Sequence, residues 1–306
     1  MNFVYCFLNY DLLGKDKMDE FSYNFLPDYS FFSIEQTRKL NPDSRIYLIC
    51  SKKSLREDQF NRLRKNSILL VEQEDLFVNS EKIHNLISIY CECKAVNSSL
   101  FNFNFVSMAR LFFVEELMKQ CSIENVFHLE YDNFLYVTEE ELSNEKFLNE
   151  KYVVCRVADN GLCLGVSFFK DYSVLSMNNN RIIAALLNEK TALPNEMRLL
   201  ASIYFTIPNS GISFFNSIPE TSSFLIFDDC SWGQFFGGTN VGHPPGYLDE
   251  KNYTGKFILE NKSNLKVKRD ENGFFFLVFG NRIYKFASLH IHNKKAIKAF
   301  AIKKEL

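Results

Sequence analysis

The stretch that decides the fold is SMARLFFVEELMKQCSIENVFHLEYDNFLYV, which covers residues 107–137. Its apolar residues recur with a roughly helical spacing as far as Leu117, so they predict a helix. Ser122 and Asn125 then indicate a turn, and the apolar run 126–129 predicts a short buried strand. The stretch therefore predicts a helix, a turn and a strand that ends in acidic residues.

Two carboxylates lie at the end of this strand, those of Glu130 and Asp132. Because the side-chain period of a strand is two, both are expected to point to the same side. Converging carboxylates repel each other and need a cation or a hydrogen-bond network to offset the repulsion. Two interpretations stay open here, an ordinary acidic loop and a Mg²⁺ or Mn²⁺ site for a nucleotide diphosphate.

Predicted strands and helices alternate before this stretch, which favours an α/β fold with a parallel sheet. The predicted strands cover residues 3–8, 45–50 and 67–71, and the last two are expected to be buried. The predicted helices cover residues 29–40, 54–65 and 81–90. Residues 97–105 are polar and aromatic and are expected to form a loop.

The second half of the chain continues with a mixture of strands and helices. Strands are predicted around the turn signal Asp159-Asn160-Gly161 and around Gly280-Asn281. Their bounds are 151–157, 162–169, 274–279 and 283–286. Helices are predicted over 171–188 and 194–204, and a basic helix over 294–306.

The sequence FDDCSWGQFFGGT, residues 227–239, follows a predicted strand over 224–227. Asp229 or Ser231 can cap a short helix there, and the paired glycines allow the backbone to approach a ligand closely. One aspartate of the pair Asp228 and Asp229 would then be free to act as a general base. A capped turn without chemistry is the alternative, and Trp232 is expected either to stack on a sugar or to anchor the core.

Two histidines alternate with apolar residues in SLHIHNKK, residues 288–295. His290 and His292 are expected on one face of a strand end, next to Lys294. A lone histidine is usually structural, whereas two on one face of a strand end beside a lysine suggest a functional site.

These motifs together resemble those of GT-A fold glycosyltransferases of the bacterial and viral type. The resemblance rests on NVFHLEYDN (125–133), on FDD…GQFFGG (227–238) and on LHIHNK (289–294), in that order. NVFHLEYDN resembles the acidic Asp-X-Asp-type motif, with Glu130 in place of the first aspartate. The resemblance implies a mixed, mainly parallel central sheet flanked by helices, in one catalytic domain over residues 1–306. It also implies a nucleotide-sugar-binding half, 1–137, and an acceptor-binding half with a C-terminal helix, 138–306.

The resemblance also implies a metal site that holds Mn²⁺ or Mg²⁺. Asp132 would bind the metal directly, and Glu130 would bind it through water or hold the ribose. His290 or His292 would complete the site, and Lys294 would offset charge on the leaving diphosphate.

Further roles follow from the same resemblance. Asn9 and Tyr10 would hold the base and ribose at the end of the first strand. Arg110 would contact the diphosphate or the acidic motif; the alternative is a surface charge or a partner for Glu115. If the reaction inverts configuration, the base would be Asp228, Asp229 or Glu196, the last of which resembles an acidic residue beside the acceptor. If the reaction retains configuration, no such base is needed.

The function expected from these motifs is metal-dependent transfer of a hexosyl or pentosyl group. The donor would be a nucleotide diphosphate sugar, a UDP- or GDP-sugar, and the acceptor a hydroxyl of a glycan or glycoconjugate. One alternative is a sugar-phosphate nucleotidyltransferase, although the single glycine in 9–15 disfavours its Gly-rich loop. The other is a non-catalytic glycan-binding protein on the same fold.

Composition adds weaker constraints. The net charge of −2 gives no reason to expect nucleic acid as a partner. The eight cysteines contain no Cys-X-X-Cys pair, and most lie in apolar runs, so we expect free thiols in a reducing cytoplasm. Asn9 and Asp11 interrupt the apolar N-terminal run, which has no basic leader, so no signal peptide is expected. The basic tail 294–306 would touch an anionic membrane surface or dock on the protein.

Overall fold

The computed structural model describes residues 1–9, 25–92, 101–188 and 195–303. It divides the chain into two compact units, each built from three separate segments. The first unit consists of Met1–Pro27, Arg45–His128 and Phe169–Ile212. The second consists of Asp28–Ser44, Leu129–Phe168 and Ser213–Leu306. The predicted division into a donor half and an acceptor half stays a prediction.

The described residues form ten α-helices in addition to short 3-10 turns. They are α1 (Ser30–Leu40), α2 (Glu57–Lys65), α3 (Gln73–Val78), α4 (Glu81–Glu92), α5 (Phe101–Gln120), α6 (Glu139–Ser143), α7 (Tyr172–Asn188), α8 (Glu196–Thr206), α9 (Ser231–Gly237) and α10 (Tyr253–Asn261).

Thirteen strands accompany these helices in the described part of the chain. They are β1 (Asn2–Phe7), β2 (Arg45–Cys50), β3 (Leu69–Glu72), β4 (Val126–Leu129), β5 (Asn133–Leu135), β6 (Tyr152–Ala158), β7 (Gly161–Phe169), β8 (Ile212–Phe214), β9 (Leu225–Ile226), β10 (Leu265–Arg269), β11 (Phe275–Phe279), β12 (Arg282–Phe286) and β13 (Ser288–His290).

The α/β class predicted from the sequence is confirmed, with a mixed, mainly parallel seven-stranded sheet flanked by helices. Four of its strands, in the order β3-β2-β1-β4, lie in the first unit, apart from Leu129 at the end of β4. β1 pairs with β2 in parallel and β2 with β3 in parallel, as the alternation of strands and helices predicts. The other three strands, β7-β6-β8, lie in the second unit, apart from Phe169 at the end of β7 and Ile212 at the start of β8.

Helix α5 is the central helix of the first unit and packs on β1. It is apolar on several sides, because Met108, Phe112, Phe113 and Val114 are all at most 1% exposed. The predicted loop over 97–105 is wrong for its described part: the helix begins at Phe101. The packing of Phe105 into the core, at 1% exposure, explains why a polar and aromatic sequence is helical here.

Strand β3 differs from its prediction, because none of its residues is fully buried and Leu69 is exposed. Its position at the end of the strand order explains this, since an edge strand has a neighbour on one side only.

The second unit contains two further sheets besides its part of the seven-stranded sheet. One has the strand order β10-β11-β12-β9, and the other pairs β13 with β5. Trp232 is fully buried in the aromatic core of this unit, and its Nε1 donates to the Ser217 carbonyl at 2.8 Å. Trp232 therefore anchors the core and does not offer its ring as a sugar platform.

The predicted basic helix over 294–306 is wrong for the described residues. The only helical piece there is a 3-10 turn, Ile297–Phe300. Ile297, Phe300 and Ile302 are buried in the same core as Trp232, and Tyr136 Oη donates to the Phe300 carbonyl at 2.7 Å. The tail docks through these apolar side chains, so the described residues form no amphipathic surface helix.

Among the described residues, no helix combines the length and the apolar character that a membrane span requires.

Candidate functional site

The short sheet of β5 and β13 assembles the site in the second unit. Its antiparallel register places His290 opposite Asn133, the residue that follows Asp132. The backbone N–H of Ile291 donates to the Asp132 carbonyl at 2.9 Å and extends this pairing by one residue. Two motifs that lie far apart in the sequence are thereby held side by side by backbone hydrogen bonds.

Glu130 and Asp132 converge on the imidazole of His290. Glu130 Oε2 and Asp132 Oδ1 each lie 3.1 Å from His290 Nε2. The two carboxylates are on one side, as predicted, but the predicted reason is wrong. β4 ends at Leu129, and a turn closed by the Asn133 N–H on the Glu130 carbonyl at 2.9 Å brings the carboxylates together.

Lys294 is the third charged neighbour of this group. Its Nζ is hydrogen-bonded to Asp132 Oδ2 and donates to the Ile291 carbonyl at 3.0 Å. The same Nζ lies 5.4 Å from the centre of the Tyr29 ring, which is within the range of a cation–π contact. The side chain of Lys294 is 22% exposed, so it forms the solvent-facing side of the group.

The charges of this group shift each other's protonation. Burial by itself would raise the pKa of Asp132, but the charges of Lys294 and His290 outweigh it and hold the pKa well below its ordinary value. Burial by itself would lower the pKa of His290, but the carboxylate of Asp132 outweighs it and raises the pKa well above its ordinary value. The group thus has a carboxylate and an imidazole that stabilise each other's charged form.

Of the two predicted histidine ligands, His290 is the one that contacts both carboxylates. His292 comes after the end of β13, and its Nδ1 pairs with Gln234 Nε2 at 2.9 Å. The two imidazole rings remain neighbours, with their centroids 4.5 Å apart. Burial and the nearby charge of His290 lower the pKa of His292 to about 3, so His292 is a neutral hydrogen-bonding side chain.

Asp228 holds the backbone around His290. Its Oδ2 accepts the N–H groups of His290 and Gly233, both at 2.8 Å, and its Oδ1 accepts the N–H of Trp232 at 2.9 Å. The side chain is fully buried, and burial together with the neighbouring Asp229 raises the pKa of Asp228 to about 7. Both oxygens are engaged by the backbone, which favours a structural role over that of a general base.

Asp229, the second predicted base of this motif, is also fully buried. Its Oδ1 accepts the N–H of Ser231, the first residue of α9, at 3.0 Å. The expected cap by Asp229 or Ser231 is wrong, because the N-cap position is Cys230 and the N–H groups of Trp232 and Gly233 go to Asp228. Burial raises the pKa of Asp229 to about 7.

Two glycines allow the strands and helix around His290 to approach closely. A Cβ on Gly233 would lie 1.9 Å from the His290 carbonyl oxygen, so only glycine fits in α9 at this place. A Cβ on Gly165 would lie 2.7 Å from His290 Nδ1 and 3.1 Å from Asn133 Nδ2. Gly165 thus lies directly against the imidazole of His290.

A pair of cysteines that sequence reasoning did not connect lies on the other side of the imidazole. Cys230 Sγ is 3.1 Å from His290 Nδ1 and 3.0 Å from Cys163 Sγ. The hydrogen bond from Cys230 is the main cause that lowers the pKa of Cys163 to about 6, against the opposing effect of burial. No sequence motif predicts the contact between Cys163 and Cys230. The one local signal is Gly165, two residues after Cys163, because a glycine allows another segment to approach the strand closely.

The remaining predicted residues lie in the first unit, except Tyr10, which is outside the described residues. Arg110 Nη2 lies 3.9 Å from Glu196 Oε1, so two residues that were assigned separate roles form one ion pair. Glu115, which one alternative expected as the partner of Arg110, pairs with the Lys82 ammonium at 2.6 Å.

Asn9 lies at the end of β1, where it was predicted. Its N–H donates to Gln73 Oε1 at 2.9 Å, and its Nδ2 donates to Ser54 Oγ at 3.0 Å. The side chain is therefore part of a buried polar network at this strand end.

The chemistry of the donor set fits a hard divalent cation. Glu130, Asp132 and His290 offer two carboxylate oxygens and one imidazole nitrogen, all within 4.8 Å of one another. Carboxylates suit Mg²⁺ and Mn²⁺, and the imidazole favours Mn²⁺ of the two, because Mg²⁺ is bound chiefly by oxygen ligands.

No protein-family model and no curated protein sequence matches this chain. Similar folds occur among solved glycosyltransferase structures of the GT-A type, the group that the sequence motifs resemble. One is the galactosyltransferase LgtC in complex with donor and acceptor sugar analogs, with 12% identity, 71% of this chain and 74% of that chain covered, and a TM-score of 0.42. Another is mouse xyloside xylosyltransferase 1 in its apo form, with 9% identity, coverages of 81% and 95%, and a TM-score of 0.43. A third is the apo form of the glycosyltransferase GlyE of Streptococcus pneumoniae TIGR4, with 12% identity, coverages of 85% and 59%, and a TM-score of 0.44.

Proposed function

We propose that this protein is a metal-dependent glycosyltransferase that moves a sugar from a nucleotide diphosphate sugar to a hydroxyl of a glycan or glycoconjugate. The observation that carries the proposal is the convergence of Glu130 Oε2 and Asp132 Oδ1 on His290 Nε2, each at 3.1 Å. It joins the acidic motif and the late histidine motif, the two sequence features for which the resemblance to these transferases is most informative.

The residues that would hold the cation are Glu130, Asp132 and His290. When bound, Mn²⁺ or Mg²⁺ would offset the negative charge that develops on the leaving diphosphate. His290 can serve as a ligand through Nε2 while its Nδ1 faces the sulfur of Cys230, 3.1 Å away, which fixes the orientation of the ring.

Lys294 would act on the phosphates of the donor. It is the partly exposed cation of the group and already pairs with Asp132. A diphosphate that enters the site offers it further anionic oxygens, and an ammonium is a common point-charge ligand for phosphate. We also retain Arg110 and Asn9 as proposed donor-binding residues, on the sequence resemblance alone.

Asp228 and Asp229 are poor candidates for the base of an inverting reaction. Asp228 and Asp229 are fully buried, and Asp228 binds three backbone N–H groups. Both are better explained as residues that hold α9 and β13 in place. Glu196 is retained as the proposed base of an inverting reaction on the sequence resemblance alone, and a retaining reaction would need no such base.

The test is an assay of donor turnover with UDP- and GDP-sugars, with and without Mn²⁺. Glycosyltransferases commonly release the sugar to water at a low rate, so product can be followed by mass spectrometry without knowledge of the acceptor. We expect Mn²⁺-dependent release with one nucleotide class, and a loss of at least about 100-fold in Asp132→Ala, since it removes a charged group that would act on the transition state. Full activity in Asp132→Ala would contradict the metal assignment.

The two alternatives give different products in the same experiment. A nucleotidyltransferase would convert a sugar phosphate and a nucleoside triphosphate into pyrophosphate and a nucleotide sugar. A glycan-binding protein would bind glycans with no need for nucleotide or Mn²⁺ and would turn over neither substrate.

A further inference from the structure

A compact group of sulfur and nitrogen ligands lies beside the site that the proposed function uses. Cys163 Sγ and Cys230 Sγ are 3.0 Å apart, and Cys230 Sγ is 3.1 Å from His290 Nδ1. All three ligand atoms lie within 4.8 Å of one another. These are soft ligands, in contrast to the carboxylates on the opposite edge of the same imidazole.

We propose that Cys163, Cys230 and His290 Nδ1 form a binding site for a thiophilic divalent cation such as Zn²⁺. Zinc is commonly bound by a combination of cysteine and histidine at about 2.0–2.3 Å, with neighbouring ligand atoms roughly 3.3–3.8 Å apart. The observed separations are slightly shorter, so a small outward movement of the thiols would admit the ion. Two thiolates and one neutral imidazole would make the site electrically neutral around Zn²⁺, which suits its burial.

The surroundings of Cys163 support the role of a thiolate ligand. Its Sγ accepts the backbone N–H of Gly165 at 3.3 Å, an interaction that stabilises negative charge on sulfur. Cys163 and His290 are buried, whereas Cys230 is partly exposed and provides the side from which an ion can enter.

The side chain of Asn133 gives independent support for a ligand beside Cys163 and His290. It is fully buried, and among the described residues neither polar atom of its side chain has a hydrogen-bond partner. Its amide lies near Gly165 and Cys163. A Cβ placed on Gly165 would be 3.1 Å from Asn133 Nδ2 and 3.3 Å from Cys163 Sγ. A buried amide without partners is costly, and a metal-bound thiolate or water would satisfy it.

The two sites share one imidazole, and this has a regulatory consequence that rests on the proposed function. A neutral imidazole has one free lone pair, on either Nδ1 or Nε2. If Zn²⁺ takes the lone pair of Nδ1, Nε2 carries the proton and faces Glu130 and Asp132 as a hydrogen-bond donor. Zn²⁺ at the cysteines would therefore deprive Mn²⁺ of its nitrogen ligand, and the two metals would exclude each other.

The site is tested by titration of the reduced protein with Co²⁺, a spectroscopic substitute for Zn²⁺. We expect an intense thiolate-to-cobalt charge-transfer band in the near ultraviolet, which Zn²⁺ abolishes. Cys163→Ser and Cys230→Ser should lose the band, while Cys121→Ser, which changes an exposed thiol outside the group, should keep it. Asp132→Asn should also keep it, since it alters only the carboxylate set.

Several results would overturn the thiolate site. They are the absence of the band in reduced, folded protein, its survival in both cysteine variants, or a Cys163–Cys230 disulfide that persists under reducing conditions. If Cys163→Ser fails to fold, Cys230→Ser at the partly exposed position still decides the question.

Exclusion is tested by electron paramagnetic resonance of bound Mn²⁺. Zn²⁺ should release Mn²⁺ from the wild-type protein at a lower concentration than from Cys230→Ser, in which Zn²⁺ can only compete for the ligands of Mn²⁺ themselves. Retention of Mn²⁺ beside bound Zn²⁺ would refute the exclusion. A wild-type protein that binds no Mn²⁺ at all would refute the proposed function and the exclusion with it, whereas the cobalt band would still report the thiolate site.

Discussion

Asp228 Oδ2 accepts the backbone N–H of His290 at 2.8 Å, so a buried carboxylate fixes the position of the histidine that contacts the acidic motif. The same residue caps the start of α9 through Trp232 and Gly233. The motif from which sequence analysis expected a base thus holds in place the histidine that contacts Glu130 and Asp132.

Asp228→Ala should destabilise the protein by about 3–5 kcal/mol, because three buried N–H groups lose their acceptor. Chemical denaturation measures this loss. Asp43→Ala, an exposed aspartate in the same unit, is the matched control and should change stability by at most about 0.5 kcal/mol. A loss in Asp228→Ala no larger than that of the control would contradict the structural role.

Gly165→Ala should weaken Mn²⁺ binding by about tenfold or more, since the new methyl group would displace the imidazole of His290. Gly161→Ala in the same strand is the control, because a Cβ there meets no atom within 4 Å. Mn²⁺ affinity, measured by electron paramagnetic resonance, should be unchanged in Gly161→Ala. Equal Mn²⁺ affinities of Gly165→Ala and Gly161→Ala would show that the position of the His290 imidazole does not affect Mn²⁺ binding.

Asp229→Asn tests the electrostatics of the buried pair. Burial raises the folded-state pKa of Asp229 to about 7, above its ordinary value, so its contribution to stability is present at low pH and is lost as the pH rises through about 7. Asparagine keeps the Oδ1 acceptor but cannot ionise. We expect Asp229→Asn to gain about 2 kcal/mol relative to wild type between about pH 5 and about pH 8. Unfolding free energies that differ by the same amount at both pH values would contradict the raised pKa.

Lys294→Met should separate metal binding from nucleotide binding. Removal of the ammonium that pairs with Asp132 should leave Mn²⁺ affinity equal or higher, because a cation no longer competes for the carboxylate. Nucleotide diphosphate affinity should fall by about tenfold, the effect of one lost charge-assisted contact of about 1.4 kcal/mol. Lys295→Met, at an exposed neighbouring position, is the control for charge alone. Isothermal titration measures the affinities for Mn²⁺ and for nucleotide diphosphate separately. An equal fall in both affinities in Lys294→Met would argue against a specific role of Lys294 in phosphate binding.

The sequence predicted the fold class and the two motifs that meet, for identifiable physical reasons. Alternating apolar strands and helices indicated the parallel pairing of β1, β2 and β3. Ser122 and Asn125 were expected in a turn, and both have positive φ angles there. Local patterns of this kind are set by neighbouring residues and can therefore be read without tertiary structure.

What the sequence could not supply depends on long-range register. His290 and His292 are equivalent in a strand pattern, and only the pairing of β13 with β5 places His290 against the carboxylates. The contact between Cys163 and Cys230 likewise arises from the approach of two separate segments, which no local spacing encodes.

The most direct test of the central claim is thermal melting with nucleotide diphosphates, with and without Mn²⁺, in wild type, His290→Ala and His292→Ala. Each protein is compared with its own midpoint without ligand, because binding to the native state alone raises that midpoint. The account predicts a shift with UDP or GDP that requires Mn²⁺, is lost in His290→Ala and persists in His292→Ala. A shift of equal size without Mn²⁺, or in His290→Ala, would contradict it.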